Sequence, residues 1–180
     1  MIRLLLFLAP FALATTVSNA DETAAPAAGE LKVDLAGLAD VGRVVPVDGV
    51  TSAGQPDAAQ FRVFADSAYV AVVDLRTAGE DRGLDEPAVV EALGMEYAPF
   101  PVGRSDITID KARSLFELIG RYDGPVLVHC TSANRVGALF ALKKFDETGD
   151  PESAVEAGKA AGLTRLEDAV REAMERSQSQ

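Results

Sequence analysis

The run Val126-Leu127-Val128-His129-Cys130-Thr131-Ser132-Ala133-Asn134-Arg135-Val136-Gly137 decides how the chain is read. An apolar segment delivers the only histidine and the only cysteine of 180 residues into a short polar loop, which Arg135 closes. A strand, a loop and a helix start curl successive backbone N–H groups inward, and the positive end of the helix adds to their field. Thr131, Ser132, Ala133, Asn134 and Val136 are therefore expected to surround a bound oxyanion. Such a field favours thiolate over thiol, which makes Cys130 the expected nucleophile. Arg135 adds a planar fork that can hold two oxygens of one anion, as a lysine cannot. Taken alone, a cysteine ending an apolar strand reads as a small buried hydrophobe. Its coincidence with Arg135 and Gly137 carries the functional reading. His129 is expected to order the loop and the thiolate, without acting as a general base.

Outward from this run, strands and helices alternate. Val44-Val45-Pro46-Val47 reads as a short strand, with Pro46 suggesting an edge. Asp57 and Gln60 form a capping box at the start of a helix that repeats Phe61, Phe64 and Ala65 on one side. Tyr69 to Leu75 is almost continuously apolar, as in a strand covered on both faces. Arg76 leaves the carboxyl end of that strand, where ligands sit in open α/β sheets, and is expected to bind substrate. Its competing reading is an arginine paired to Asp74 or Glu80. Glu86 to Leu93 reads as a helix and Tyr97 to Val102 as a strand. Thr108 starts a helix with a core stripe of Ala112, Leu115, Phe116 and Ile119. After the cysteine loop come a helix over Gly137 to Asp146, a second opened by Asp150 and Pro151, and a last one with Thr164 and Glu167 as a capping box. The pattern predicts one α/β sandwich, with helices flanking a four- or five-stranded, mainly parallel sheet.

The chain ends and its charge add limits. Arg3, the apolar stretch Leu4 to Ala14 and Ser18-Asn19-Ala20 read as a secretory signal over residues 1–20, cleaved to leave Asp21 first. The stretch is too short to span a bilayer, so no stable membrane anchor is expected and the protein is read as periplasmic or secreted. Residues 21–40 read as a flexible leader and 41–176 as the folded domain. Removing the signal takes the formal charge from −11 to −12. Such a surface repels nucleic acid, and a local cationic loop on it fits a small anion. With one histidine and one cysteine, no zinc site of the usual ligands is expected, and no cofactor.

The cysteine run, together with Thr51-Ser52-Ala53-Gly54-Gln55-Pro56 and Val72-Val73-Asp74-Leu75-Arg76 in that order, resembles the cysteine-dependent tyrosine and dual-specificity phosphatases. The resemblance covers about residues 44–147 and is nearer to their bacterial beta-lactamase-hydrolase-like branch. It implies a phosphatase-like α/β fold and hydrolysis of phosphomonoesters, free or on a phosphoprotein, through a phosphocysteine. It also implies an aspartate that protonates the leaving oxygen. Asp106, in the loop after the strand ending at Val102, is the expected acid, with helix capping as its alternative role. Three departures stand out. Four residues separate Cys130 from Arg135, where the phosphatase pattern has five. Val136 follows the arginine, where a serine or threonine is usual. Ala133 stands where short-loop relatives often carry glycine, and Asn134 would enter the left-handed conformation more easily. The short spacing also resembles rhodanese-type sulfurtransferases, which leaves open sulfur transfer through a Cys130 persulfide, or an oxyanion-binding module without catalysis.

Overall fold

A computed structural model of the protein describes residues 45–47 and 50–179. The signal and leader expected over residues 1–40 lie outside them. Strands β1 (Val45–Val47), β2 (Val50–Ala53), β3 (Ala71–Asp74), β4 (Glu96–Pro99) and β5 (Val126–His129) form one sheet in the order β1-β2-β5-β3-β4. Strands β2, β5, β3 and β4 run parallel, and β1 joins the edge antiparallel. The architecture is the expected mainly parallel α/β sandwich, and its sheet has five strands. Pro46 sits on the edge strand, where a missing N–H breaks no inner ladder.

Helices α1 (Ala58–Asp66), α2 (Glu86–Ala92), α3 (Ile109–Ile119), α4 (Asn134–Thr148), α5 (Pro151–Ala160) and α6 (Glu167–Gln178) cover the sheet. Side-chain alternation along β5 divides the interior. Leu127 packs with Phe61, Phe64, Val72 and Val90, while Val126, Val128 and Cys130 pack with Leu115, Leu139 and Val170. Helices α1 and α2 thus close one face, and α3, α4 and α6 help close the other. The second core is the larger, and α4 lies at its centre with Val136, Leu139 and Leu142 fully buried. Each such side chain contributes about 1.5–3 kcal/mol by leaving water.

The caps read from the sequence hold at Asp57 with Gln60, at Thr108 and at Asp150. The Thr164–Glu167 box does not form. Helix α6 begins two residues later than that box requires, after Leu166, which gives no side-chain cap. Thr164 instead donates its N–H to Asn134 Oδ1 at 2.8 Å, which ties the α5–α6 connection to the start of α4. Gly137 is required where these helices meet, because a Cβ there would lie 2.1 Å from Leu163 N.

Candidate active site

Strand β5 lies between β2 and β3, and its carboxyl end opens into the loop Cys130–Ala133 ahead of α4. The loop is anchored to the preceding strand by Cys130 N–H donating to Ala53 O and Gln55 N–H to Thr131 O, both at 3.4 Å. Among the described residues, the N–H groups of Thr131 and Ser132 donate to no acceptor. Cys130 is a free thiol, 1% exposed, at the floor of this loop.

The left-handed residue is Ala133, at φ +59°, whereas Asn134 is already helical. The left-handed position thus falls on alanine, although Asn134 would enter that conformation more easily. Ala133 bears a cost of about 1 kcal/mol or more, and Gly162 makes room for it, since a Cβ there would lie 2.6 Å from Ala133 Cβ. Asn134 is used inward, on Thr164. Val136 does not face the loop opening either. It is wholly buried in the larger core, because the position after Arg135 points to the sheet.

Arg135 turns back over the loop from the first turn of α4. Its Nη1 donates to Glu80 Oε1 at 2.6 Å and its Nη2 to Glu80 Oε2 at 2.5 Å, with longer contacts to Thr131 Oγ1, Val102 O and Leu75 O. Glu80 thus grips the guanidinium end-on, and among the described residues Arg135 Nε makes no hydrogen bond. Glu80 also accepts from Thr77 N–H at 2.8 Å and Thr131 Oγ1 at 2.9 Å. The Arg135 hydrogen bond, opposed by partial burial and aided by Thr77, holds the Glu80 carboxyl far below the usual carboxylate range. Glu80 reciprocally raises the Arg135 guanidinium, as does the adjacent Cys130 sulfur. Sequence reasoning named Glu80 only as a partner for Arg76. The usable signal was that Leu75 shares the Cys130 face, so the chain leaving β3 crosses toward the loop.

Arg76 is a correction. Its side chain does not reach the loop. Asp74, Arg76 and His129 lie on the α1–α2 face, opposite Cys130, because side chains alternate along β3 and β5 and Asp74 pairs in register with His129. Arg76 is 1% exposed, with Nε donating to Asp74 Oδ1 at 2.8 Å, Nη2 to Asp74 Oδ2 at 2.9 Å, and Nη2 also to Glu86 Oε2. His129 Nε2 lies 2.7 Å from Glu86 Oε1, and Arg82 and Tyr97 Oη complete the shell of Asp74. Burial would raise the Asp74 carboxyl, but the hydrogen bonds from Arg76 and Tyr97 prevail and hold it at about 2. Asp74, Glu86 and His129 present ligand-type atoms within 4.8 Å of one another. The Arg76 guanidinium bonded to both carboxylates already supplies the cation there.

Asp106 is engaged within its own turn. Its Oδ2 accepts from Gly103 N–H at 2.7 Å across the 3₁₀ turn Arg104–Asp106, so its carboxylate caps that turn. A cavity of about 410 Å³ beside the loop is lined by Thr77, Glu80, Val102, Gly103, Arg104, Asn134, Arg135 and Leu166, without Asp106. A hollow of about 340 Å³ at the α3–α6 junction contains none of the loop residues.

No protein-family model matches the chain. It is 34% identical over 115 residues to a beta-lactamase hydrolase-like protein of Xylella fastidiosa, covering 61% of this chain and 27% of that protein. It is 30% identical over 97 residues to the protein of the same description from Agrobacterium fabrum, covering 52% and 22%. The chain therefore spans about a quarter of the length of the curated relatives it matches. Among solved structures, a candidate phosphatase of Neisseria meningitidis superposes with a TM-score of 0.63 at 19% identity, over 72% of this chain and 96% of that one. A candidate phosphatase of Shewanella putrefaciens gives 0.59 at 17%, over 79% and 97%. TpbA of P. aeruginosa, solved in complex with pTyr, gives 0.53 at 18%, over 73% and 95%. The chain thus has the fold of the cysteine-dependent phosphatases, and its sequence is similar to the beta-lactamase hydrolase-like proteins, as the order of its motifs implied.

Proposed function

We propose that the protein is an exported phosphomonoester hydrolase that works through a phosphocysteine. The carrying observation is the Cys130–Arg135 loop at the carboxyl end of the central strand, with Arg135 fixed end-on by Glu80 and its Nε edge left for an oxyanion. Cys130 Sγ, as thiolate, attacks phosphorus; the S–P bond forms as the P–O bond to the leaving group breaks, and the leaving oxygen takes the electron pair. Arg135 and the Thr131 and Ser132 N–H groups hold the phosphoryl oxygens and meet the charge that develops on them. Water then attacks phosphorus, and the thiolate leaves as phosphate is released.

The one carboxyl lining the cavity, Glu80, is held ionised by Arg135 and offers no proton to the leaving oxygen. The site suits leaving groups that depart as stable anions, such as phenols. Export rests on the Arg3 and Leu4–Ala14 pattern and the small residues Ser18-Asn19-Ala20. A mature N-terminus at Asp21, read by mass spectrometry on secreted material, checks it.

The burial of Val136 favours a second reading, because no hydroxyl follows Arg135 to assist thiolate departure. Transfer of sulfane sulfur through a Cys130 persulfide needs no such group. One paired experiment separates the readings: purified protein is offered an aryl phosphate, or thiosulfate followed by cyanide, and Cys130 is examined by intact mass. Aryl phosphate turnover that Cys130→Ser abolishes is the expected result. A persulfide without phosphatase turnover would overturn it, and anion binding with neither adduct would leave a binding module.

A further inference from the structure

We propose that Arg104 is a second anion-binding group of this site, so that its natural substrate carries another anionic group a few ångströms from the phosphoryl group. This rests on the hydrolase reading. Arg104 lines the same cavity as Arg135. The two are close along the chain path, since Arg135 Nη1 lies 3.3 Å from Val102 O and two residues of extended chain cover about 7 Å.

The backbone under Arg104 is held firmly while its side chain is not. Asp106 fixes the turn through Gly103 N–H at 2.7 Å, and Asp106 N–H returns to Gly103 O at 3.1 Å. The Arg104 side chain is exposed, and among the described residues no carboxylate lies within 4.0 Å of its guanidinium. Asp168 and Glu172 face it across an adjoining hollow, where Arg176 takes Glu172 at 3.7 Å. The cavity therefore holds two guanidiniums and one carboxylate, Glu80, which is committed to Arg135. Arg104 is its surplus positive charge. On a chain of net charge −11, a more highly charged ligand is repelled at long range, so preference for it must come from a local cation. Val102 and Leu166 give the cavity an apolar wall on which the linker between two anionic groups can lie.

The test compares methylphosphonate with the ethane-, propane- and butane-α,ω-bisphosphonates by calorimetry, on wild type, Arg104→Gln and, as a control at the other end of β5, Arg121→Gln. Two identical ends alone give a twofold advantage. One charge-assisted contact should add a preference of about tenfold for at least one bisphosphonate in wild type and Arg121→Gln. Arg104→Gln should bring that ratio back to about twofold while methylphosphonate binding holds. A wild-type ratio of two, or a ratio unchanged by Arg104→Gln, overturns the proposal, as does equal weakening of both ligand types. Preference without turnover of an aryl phosphate overturns the hydrolase reading alone, and turnover without preference overturns the role of Arg104 alone. Binding of neither ligand overturns both.

Discussion

Two arginines meet carboxylates at the carboxyl ends of neighbouring strands, and they do opposite things. Arg76 is sealed between Asp74 and Glu86, with both partners also fully buried. Arg135 is 18% exposed and its partner Glu80 29%, at the wall of a cavity. The first pair is closed so completely that Arg76 Nη1 and His129 Nδ1 find no partner in the cluster. The second leaves an edge of the guanidinium unused. A buried ion pair is strongly destabilising to break and cannot exchange its partner for a ligand, because each partner alone would be an uncompensated charge. An open pair gives little stability but can present its cation to solvent anions. Alternation about β3 and β5 is what sorts the two onto opposite faces of the sheet.

The contrast predicts a large stability effect at Arg76. Arg76→Leu leaves Glu86 and Asp74 buried without their shared cation and should cost about 3–5 kcal/mol. Chemical denaturation of the purified variant measures it. A loss below about 1 kcal/mol, within the range of exposed ion pairs, would erase the distinction between the pairs.

At Arg135 the balance reverses. Arg135→Lys keeps the charge but loses the fork, and should lower kcat/KM for an aryl phosphate by about 10²–10³-fold, the usual effect of removing an oxyanion donor. Stability should change by less than about 1 kcal/mol, because the pair is partly solvated. Steady-state kinetics and denaturation on one preparation decide it. Equal kinetics in the lysine variant would remove Arg135 as the anion clamp.

Acid separates the pairs further. Asp74 is held at about 2, below its usual 3.8, so its contribution to stability is fully present above 3.8 and is lost as pH falls toward 2. The shift corresponds to about 2 kcal/mol. Wild type should therefore lose stability steeply between pH 4 and 2, and Asp74→Asn, less stable at neutral pH, should lose less over that window. Denaturation midpoints across the window test this, and parallel curves for the two proteins would contradict it.

The sequence made the sheet legible because β3 and β5 are apolar runs between recognisable caps, and it made the loop legible because the only cysteine stands five residues before an arginine. What it hid were orientations. Arg76 was placed by its position at a strand end, although the i, i+2 relation to Asp74 already puts both side chains on one face. Asp106 was placed by its loop, but a carboxylate three residues past Gly103 finds a nearer use in capping the turn. Val136 and Asn134 were grouped with the loop although both lie on α4, where the helical turn directs them into the core and toward Thr164. Glu80 was hidden because its contacts to Thr131 and Arg135 span 51 and 55 residues of sequence.

The smallest effect is expected at Glu80, and it tests what the open pair is for. Glu80→Gln keeps the shape of the side chain but weakens the two charge-assisted bonds that hold the Arg135 fork end-on. The freed guanidinium samples orientations in which its Nε edge no longer faces the loop, so kcat should fall by about tenfold, equivalent to 1.4 kcal/mol. The same substitution removes a negative charge beside the bound anion, so product inhibition by phosphate should not weaken. The pH dependence carries the sign. Because the Glu80 carboxyl lies far below the usual carboxylate range, its interaction is complete above that range and is lost only as pH falls through its lowered value. Between pH 5 and 8 the wild-type and Glu80→Gln profiles of kcat should therefore have the same shape and differ only in height. A limb in the wild-type profile that vanishes in Glu80→Gln would show Glu80 exchanging a proton in that range, and would recast it from a residue that aligns Arg135 into one that titrates with the reaction.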